Sequence, residues 1–409
     1  MGFGSLIKGG LSSAASSMLS GNFGSEGSTG LNPSFEMKLN GKGIKLNEGS
    51  LLTDVCVDRT IFDSKAGICI FTIKSTRMKF KKSKIFIDDD LVFQLGSKIE
   101  LSMGYGGENS KIFTGYVVKS VPSVEHLTNS CVISASKVVC MDPKWFLMSK
   151  REFNCYSLSK KYSAVVSSIL NDMGYAQKFS GVTIDISGEP NPNDFLGNYV
   201  ACQEGESDFE FLKMLAEETG SLFYADEEGC LNFISIDSNK KPKGIKKSIE
   251  SDKGIIEVSV EGNRGDIPLK VCVLGINKDD IGGVIKGESK DSVPIGSGKD
   301  SDTSTKNVPR SSVFEVNTGS VISKKLANFR AQAIMNLKEI KFMQVSVKFR
   351  GNPGFKLGQM VKVSKTAMIP DSEYMVSGIK NEYNSQPGAE YTTTVTLNAT
   401  RSNPIPTIK

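Results

Sequence analysis

The residues 203–234, QEGESDFEFLKMLAEETGSLFYADEEGCLNFI, crowd Glu204, Glu206, Asp208, Glu210, Glu217 and Glu218 into one short stretch. Carboxylates so grouped could act as general acid and base or gather a hard cation. A cell-wall hydrolase drawing on the acids of Glu204–Glu218 is therefore one reading. It needs two carboxyls flanking a cleft about 5 to 9.5 Å apart, and nothing in the pattern aims them that way. Helix chemistry accounts for several of them without a substrate. Ser207 and Glu210 satisfy S-x-x-E, so the hydroxyl can accept from the N–H three residues on while the carboxylate returns to the cap's own N–H. Asp208 adds negative charge to the first turn, where the helix dipole favours it. Phe209, Leu212, Leu215 and Ala216 form the buried stripe, and Gly220 ends the helix. A strand at 221–225, a DEEG turn and a returning strand at 230–234 follow. Glu217 and Glu218, at the negative end of the dipole, are left for a partner or a basic side chain.

Other candidates for chemistry lack their context. The single histidine, His126, lies in the polar stretch SVEHLTNS, which reads as a loop, so a Ser-His-Asp or Cys-His system has only that base. The eight cysteines include no C-x-x-C pair, which removes the spacing signal for zinc or dithiol redox chemistry. Most sit in apolar runs such as DVCVD and KVCVL, where a reduced thiol packs as a small hydrophobe, as in a reducing cytoplasm. GYGG falls between two strands rather than between strand and helix. GSGKDS has Val293 where a phosphate loop needs its first glycine and Asp300 where it needs Ser or Thr. No cofactor and no metal site are expected.

The chain of 409 residues has room for several domains, and 39% hydrophobic with 23% charged residues is a globular composition. A formal charge of +5 is small for this length. Basic runs are answered by acidic ones, Lys79, Lys81, Lys82 and Lys84 preceding Asp88, Asp89 and Asp90, as on a solvated face, so specific nucleic-acid binding is not expected. No segment is long and apolar enough to span a bilayer, the Gly/Ser-rich start has no continuous h-region, and Leu6 breaks the myristoylation pattern. Synthesis in the cytoplasm without a signal peptide is the expectation, which the resemblance described below makes a bacterial cytoplasm, with residues 1–34 as a flexible or partner-ordered arm.

Residues 35–156 alternate in period two, most clearly in KIELSMGYGGENSKIFTGYVVKSV, a hairpin turning at Gly106 to Ser110. Tyr162, Val165, Val166, Ile169, Leu170 and Met173 then mark an amphipathic helix, with Gly174 expected as its left-handed cap. An α/β unit over 157–239 contains this helix and the acidic one. Strand pattern returns in GIIEVSVEGNRGDIPLKVCVLGIN, read as a hairpin turning at Asn263, Arg264, Gly265 and Asp266. The stretch 286–312 reads as an exposed loop. A long helix at 320–341, striped by Ile322, Leu326, Phe329, Ala333, Leu337 and Ile340, and four strands complete a region 240–409. Its KLGQMVKV matches QLGSKIEL of the first β region: Leu95–Gly96 against Leu357–Gly358, each followed by an alternating strand, a turn and another strand. Two related β-barrels flanking the α/β unit are expected, in an α+β, mainly β fold.

The acidic stretch resembles the signature of the phage late control protein D family, which includes tail baseplate hub proteins and the hub part of VgrG spike proteins. Gln203, Glu206, Ser207, Asp208, Phe211, Leu212, Leu215, Glu217, Glu218, Gly220, Phe223 and Tyr224 match Q-x-x-E-S-D-x-x-F-L-x-x-L-x-E-E-x-G and the aromatic hairpin after it. KIFTGYVVKSV, REFNCYSLSKKYSAVVSSILNDMGY and FKLGQMVKV with SEYMVSGIKNEY resemble further family elements. The resemblance implies a homotrimer of two-barrel chains, a pseudo-sixfold ring that adapts a sixfold tail tube to a threefold spike. It implies as partners the tube or tube-initiator protein, a trimeric spike, other baseplate proteins and the tape measure, all within the baseplate of a released particle. It implies no enzymatic chemistry and no membrane contact in isolation. No long spike segment follows Thr400, so the spike is expected on a separate chain. A tube-initiator or baseplate adaptor is the neighbouring alternative.

Overall fold

The computed structural model describes residues 33–44, 50–62, 65–78, 93–105, 108–128, 131–157, 161–172, 174–175, 177–190, 200–236, 247–250, 254–262, 268, 270–276, 283–290, 313–317, 321, 323–341, 343–351, 354–367, 369, 372–385 and 390–399. The first β region supplies β1 (Pro33–Leu39), β2 (Lys42–Gly43), β3 (Ser50–Thr60), β4 (Ile68–Met78), β5 (Lys98–Tyr105), β6 (Glu108–Thr128) and β7 (Cys131–Met141). The middle holds α1 (Lys144–Ser149), β8 (Arg151–Ser157), α2 (Tyr162–Leu170), β9 (Gly181–Asp185), β10 (Val200–Ser207), α3 (Asp208–Thr219), β11 (Ser221–Ala225) and β12 (Cys230–Ser235). Then come β13 (Lys247–Ile249), β14 (Ile255–Gly262), β15 (Lys270–Ile276), β16 (Val284–Glu288), β17 (Val313–Asn317), α4 (Lys324–Glu339), β18 (Met343–Arg350), β19 (Met360–Val363), β20 (Ser372–Asn384) and β21 (Glu390–Ala399). The fold is mainly β, as the alternating sequence requires.

Both β regions lie in one 13-stranded sheet, and its pairing scheme occurs twice. In the first half β5 pairs β6, β6 pairs β7, β7 pairs β4 and β4 pairs β3. In the second half β19 pairs β20, β20 pairs β21, β21 pairs β18 and β18 pairs β14. The correspondence reaches single hydrogen bonds. Gly96 (φ 81) donates to Val117 O at 2.8 Å and Gly358 (φ 74) to Val376 O at 2.8 Å. The return bonds, Val117 N–H to Ser97 O and Val376 N–H to Gln359 O, are both 2.9 Å. Register shifts also coincide, between Val117 and Lys119 as between Val376 and Gly378, and between Leu52 and Asp54 as between Ile255 and Glu257. A bulge bends its strand in a fixed place, so the two halves curve at the same points. They meet where β3 pairs β20 antiparallel, from Thr60 opposite Gly378 to Asp54 opposite Asn384.

Each half has its own buried cluster, around Phe71, Ile99 and Phe113 in one and Val345, Val361 and Tyr374 in the other. A third core joins α2 and α3 (Tyr162, Phe211, Leu212, Leu215) to β15 and α4 (Val271, Val273, Leu326, Ala331). The long helix, which the sequence places within 240–409, thus divides its stripe, with Leu326 and Phe329 in the middle core and Leu337 and Ile340 in the core of the second half.

Several expectations are corrected. The two runs read as a hairpin across Asn263–Asp266 do not pair: β14 lies beside β18, while β15 forms a separate sheet with β16 and β17. Period two identifies a strand but not its partner. His126 is not in a loop but in β6, opposite Val132. Gly174 is not the cap of α2, which ends at Leu170 with Asn171 as its C-cap. The return strand of the first hairpin begins at Glu108, inside the expected turn. The expected loop 286–312 begins within β16, and its residues 291–312 lie outside those described. The arm expected at 1–34 lies outside them too, except Pro33 and Ser34, which open β1.

The paired glycines should respond unequally to alanine. At Gly96 a Cβ meets nothing within 4 Å, whereas at Gly358 it would lie 2.4 Å from Tyr224 Oη. Gly96→Ala is expected to cost about 1–2 kcal/mol for its left-handed backbone, and Gly358→Ala roughly 1–3 kcal/mol more for overpacking, read from urea denaturation midpoints.

Candidate functional site

In the acidic stretch Glu206, Asp208, Glu210 and Glu218 are engaged by neighbouring groups. Ser207 has extended backbone (φ −70, ψ 155), its Oγ accepts from Glu210 N–H, and Glu210 accepts from Ser207 N–H at 2.9 Å. Hydrogen bonds donated to the Glu210 carboxylate by the Ser207 N–H and hydroxyl hold it below its ordinary pKa. Asp208 is buried, with Oδ2 accepting from Tyr175 Oη at 2.6 Å and Oδ1 from Gln203 Nε2 at 2.8 Å. Gln203 Nε2 also reaches Glu206 O at 2.9 Å, so the buried amide fastens the end of β10 to the first turn of α3. Glu206 accepts from Glu204 N–H at 2.7 Å.

The C-terminal glutamates differ. Glu217 is exposed. Glu218 reaches Arg330 of α4 at 2.5 Å and Tyr162 Oη at 3.4 Å. Its burial raises the carboxyl pKa against the opposing pull of Arg330 and Tyr162. Gly220 closes α3 in the left-handed region (φ 63, ψ 34), and a Cβ there would lie 2.9 Å from Ala333 Cα. Glycine therefore serves both the cap and the close approach of α4. Phe211, Leu212 and Leu215 are fully buried, and Phe223 sets its ring at a tilt, 5.9 Å from those of Phe209 and Phe233. Tyr224 enters the core of the second β half instead.

The turn between β11 and β12, which carries no chemical signal in sequence, reaches both β halves. Glu227 is buried at 6% exposure, with Lys356 Nζ at 2.7 Å and Arg59 Nη1 at 3.6 Å. Arg59 ends β3 in the first half, and Lys356 immediately precedes the Leu357–Gly358 turn of the second. Thr114 Oγ1 donates to Glu227 O at 2.8 Å, and Lys111 bonds Glu228 at 2.7 Å. Desolvation alone would raise the Glu227 pKa; the Lys356 hydrogen bond and the Arg59 charge outweigh it, so the carboxyl stays below its ordinary value. Burial lowers the Arg59 pKa against the pull of Glu227 and Asp142. Asp142, whose pKa burial raises, accepts from Gly67 N–H at 2.6 Å and lies 3.6 Å from Lys144. Sequence reasoning missed this cluster because Arg59, Asp142, Glu227 and Lys356 are far apart in the chain. The one available signal was the adjacency of Lys356 to the repeat.

Of the repeat residues, Leu357 is buried at 6% while Leu95 is 65% exposed. The hairpin that covers the second turn has no counterpart over the first among the described residues. Among those residues no group of three or more His, Cys, Asp or Glu is placed to hold a metal ion, and no helix is long and apolar enough to cross a membrane. Glu227 supplies charge pairing to both sheet halves, and Glu210, Asp208 and Glu218 are engaged by cap, amide, phenol and guanidinium partners.

A family model described as the Alg8 N-terminal domain matches residues 32–384. No curated protein matches the chain. Among solved structures, the 43 kDa tail protein of prophage MuSo2 from Shewanella oneidensis superposes with a TM-score of 0.59 at 17% identity, covering 91% of this chain and 100% of that one. A tail protein from Neisseria meningitidis MC58 gives 0.61 at 13% identity over 90% and 96%. The E. coli c3393 protein, a type VI secretion component described as structurally similar to T4 tail proteins gp27 and gp5, gives 0.52 at 11% over 91% and 79%. The chain therefore has the fold of phage tail proteins.

Ser207→Ala should lower stability by about 1 kcal/mol, the usual worth of an N-cap, measured by chemical denaturation. Glu227→Gln should cost more, approaching the roughly 3–5 kcal/mol of a buried ion pair stripped of one partner. Because the folded-state pKa of Glu227 is depressed, its contribution is fully present above the unfolded value of about 4.3 and is lost as pH falls through the folded one. The stability gap between wild type and Glu227→Gln should hold at neutral pH and close in acid below that value, as thermal melts at stepped pH will read.

Proposed function

Because the chain belongs to the Alg8 N-terminal domain family and has a phage-tail fold, we propose that it is a structural baseplate hub of a contractile tail or related injection particle. In this reading three copies form a ring that receives the sixfold tail tube on one side and a threefold spike on the other. The observation that carries it is the duplicated pairing scheme within one chain, matched down to its glycine turns and bulges. A trimer of chains that each hold two matching β units presents six similar units, and this is what an adaptor between sixfold and threefold symmetry requires. The late control protein D signature fits the same reading. Gln203, Ser207, Asp208, Glu210 and Gly220 build a rigid bracket between the middle core and the sheet, and Phe223 and Tyr224 anchor it in two cores. The division into barrels at 35–156 and 240–409 around an α/β unit at 157–239 belongs to this proposal, as does the absence of catalysis. The partners are the tube or its initiator, the spike and neighbouring baseplate proteins.

The test is the position of an epitope-tagged chain in purified particles by electron microscopy. Label at the axial end of the tube, next to the spike, is expected. Label along the sheath, at the head-proximal end or on peripheral fibres would overturn the proposal.

A further inference from the structure

Each strand segment used at the β3–β20 junction has a counterpart in the other half with no strand beside it among the described residues. The segment Gly378–Asn384 of β20 has β21 on one side and β3 on the other. Matching Val117 to Val376 through their shared turn makes 119–125 of β6 its counterpart. That segment pairs β7 on one side, while β5 stops opposite Tyr116. Likewise β3 lies between β4 and β20, whereas its counterpart β14 pairs only β18 among the described residues.

Both edges expose apolar residues among the charges, Lys119, Glu257 and Glu261, that ordinarily blunt a free edge. Val121 on β6 is 44% exposed and Ile256 at the β14 bulge 46%. Val258 and Val260 on β14 are partly buried, while their counterparts Val55 and Val57 are 3% and 0% exposed under β20. An edge lacking a neighbour has the burial pattern of one that expects it.

We propose that β14 of one copy pairs antiparallel with the 119–125 segment of β6 in the next, repeating between chains the junction that β3 and β20 make within one. The internal junction fixes the register. Lys380 opposite Asp58 becomes Val121 opposite Glu261; Asn381 opposite Val57 becomes Pro122 opposite Val260; Glu382 opposite Cys56 becomes Ser123 opposite Ser259. The faces agree in this register: Val121, Ser123, Ser259 and Glu261 are exposed, and Pro122 and Val260 are both half-buried. The bond from Ser385 N–H to Thr53 O sets the phase, so Asn381, four residues before Ser385, faces β3 and Pro122 faces the free edge. Proline there has no N–H to give, leaving the Val260 N–H to Pro122 O bond to hold that pair. A proline also rejects added strands whose register would require its N–H, which narrows the edge to a partner such as β14.

The contact is head-to-tail, so copies add in one direction until the ring closes. This inference deepens the hub proposal by naming the residues that join its copies, but its register argument stands on the internal repeat alone.

The test is disulfide trapping in the full chain, with Cys155 replaced by serine because it is exposed. Ser123→Cys with Ser259→Cys forms a non-hydrogen-bonded cross-strand pair, where Cα atoms sit about 4.5 Å apart and a disulfide fits. Oxidation should yield at least about tenfold more covalent dimer and trimer than the shifted pair Ser123→Cys with Glu257→Cys, whose geometry does not allow bridging. A second variant, Val260→Pro, removes an N–H that faces the partner and not β18. It should weaken self-association in light scattering while leaving the circular dichroism of the fold unchanged. Equal trapping by the shifted pair, an oligomer indifferent to Val260→Pro and untrapped in register, or a chain monomeric at every concentration would each overturn the junction. Axial label in particles without in-register trapping would reject this junction and leave the hub. In-register trapping with label elsewhere would do the reverse.

Discussion

Every backbone N–H and C=O along β3 needs a partner, and β3 obtains them from two different halves of the chain. On one side lies β4, its sequence neighbour; on the other lies β20, more than half the sequence away. An unpaired buried peptide group carries a desolvation cost of about 1–3 kcal/mol, so the inner strand of one half cannot be buried until the other half is in place. Val55 and Val57, 3% and 0% exposed, sit at this seam. Arg59, one turn of the pleat further on, is 4% exposed and needs a counter-charge, which the middle of the chain provides through Glu227 at 3.6 Å.

That dependence explains the form of the signature segment. The hairpin β11–β12 must deliver a carboxylate to a site bounded by both halves, and its base must not move. Gly220 brings α3 against the Ala333 backbone, Glu218 is tied to Arg330 at 2.5 Å, and Asp208 is held by Tyr175 and Gln203. These contacts fix the α3–α4 pair and hence the strand leaving Gly220. At the far end Tyr224 lies so near Gly358 that a Cβ there would stand 2.4 Å from its hydroxyl. Of the carboxylates that resemble a catalytic group in sequence, Asp208, Glu210 and Glu218 serve in the structure as fasteners along the path from helix cap to sheet seam.

What was legible in the sequence follows the range of the interaction. The Ser207–Glu210 cap, the Gly220 stop and the strand–turn–strand after it depend on residues within a few positions of one another, and all were readable. The internal repeat was readable only at Leu95–Gly96 and Leu357–Gly358, because a left-handed turn restricts residue type whereas a strand asks only for alternation. The bulges at Thr53 and Ile256 share no residue identity although their place in the ladder is the same. Partner choice was not readable: β14 and β15 follow one another with turn residues between, yet they pair with β18 and with β16 and β17. The Arg59–Glu227–Lys356 cluster was invisible for the same reason, each member being an ordinary surface residue by local pattern.

The order of five paired strands is duplicated with its glycine turns and two of its bulges, while connections and coverings differ, and that division has a physical use. β3 runs into β4 through the short connection 61–67, while β14 reaches β18 only after β15, β16, β17 and α4. The hairpin beside Leu357 has no counterpart over Leu95 among the described residues, and Leu95 is 65% exposed. Backbone pairing is indifferent to side-chain identity, so two strand sets can diverge in sequence and still curve alike, provided their bulges and left-handed glycines stay in register. Insertions then give each chain a single distinctive face without disturbing the repeated one. A hub assembled from such chains would meet a tube of identical subunits through the repeated ladder and a spike of lower symmetry through the insertions. On this account the symmetry change requires no flexible element, because it is built into which parts of the chain were duplicated and which were not.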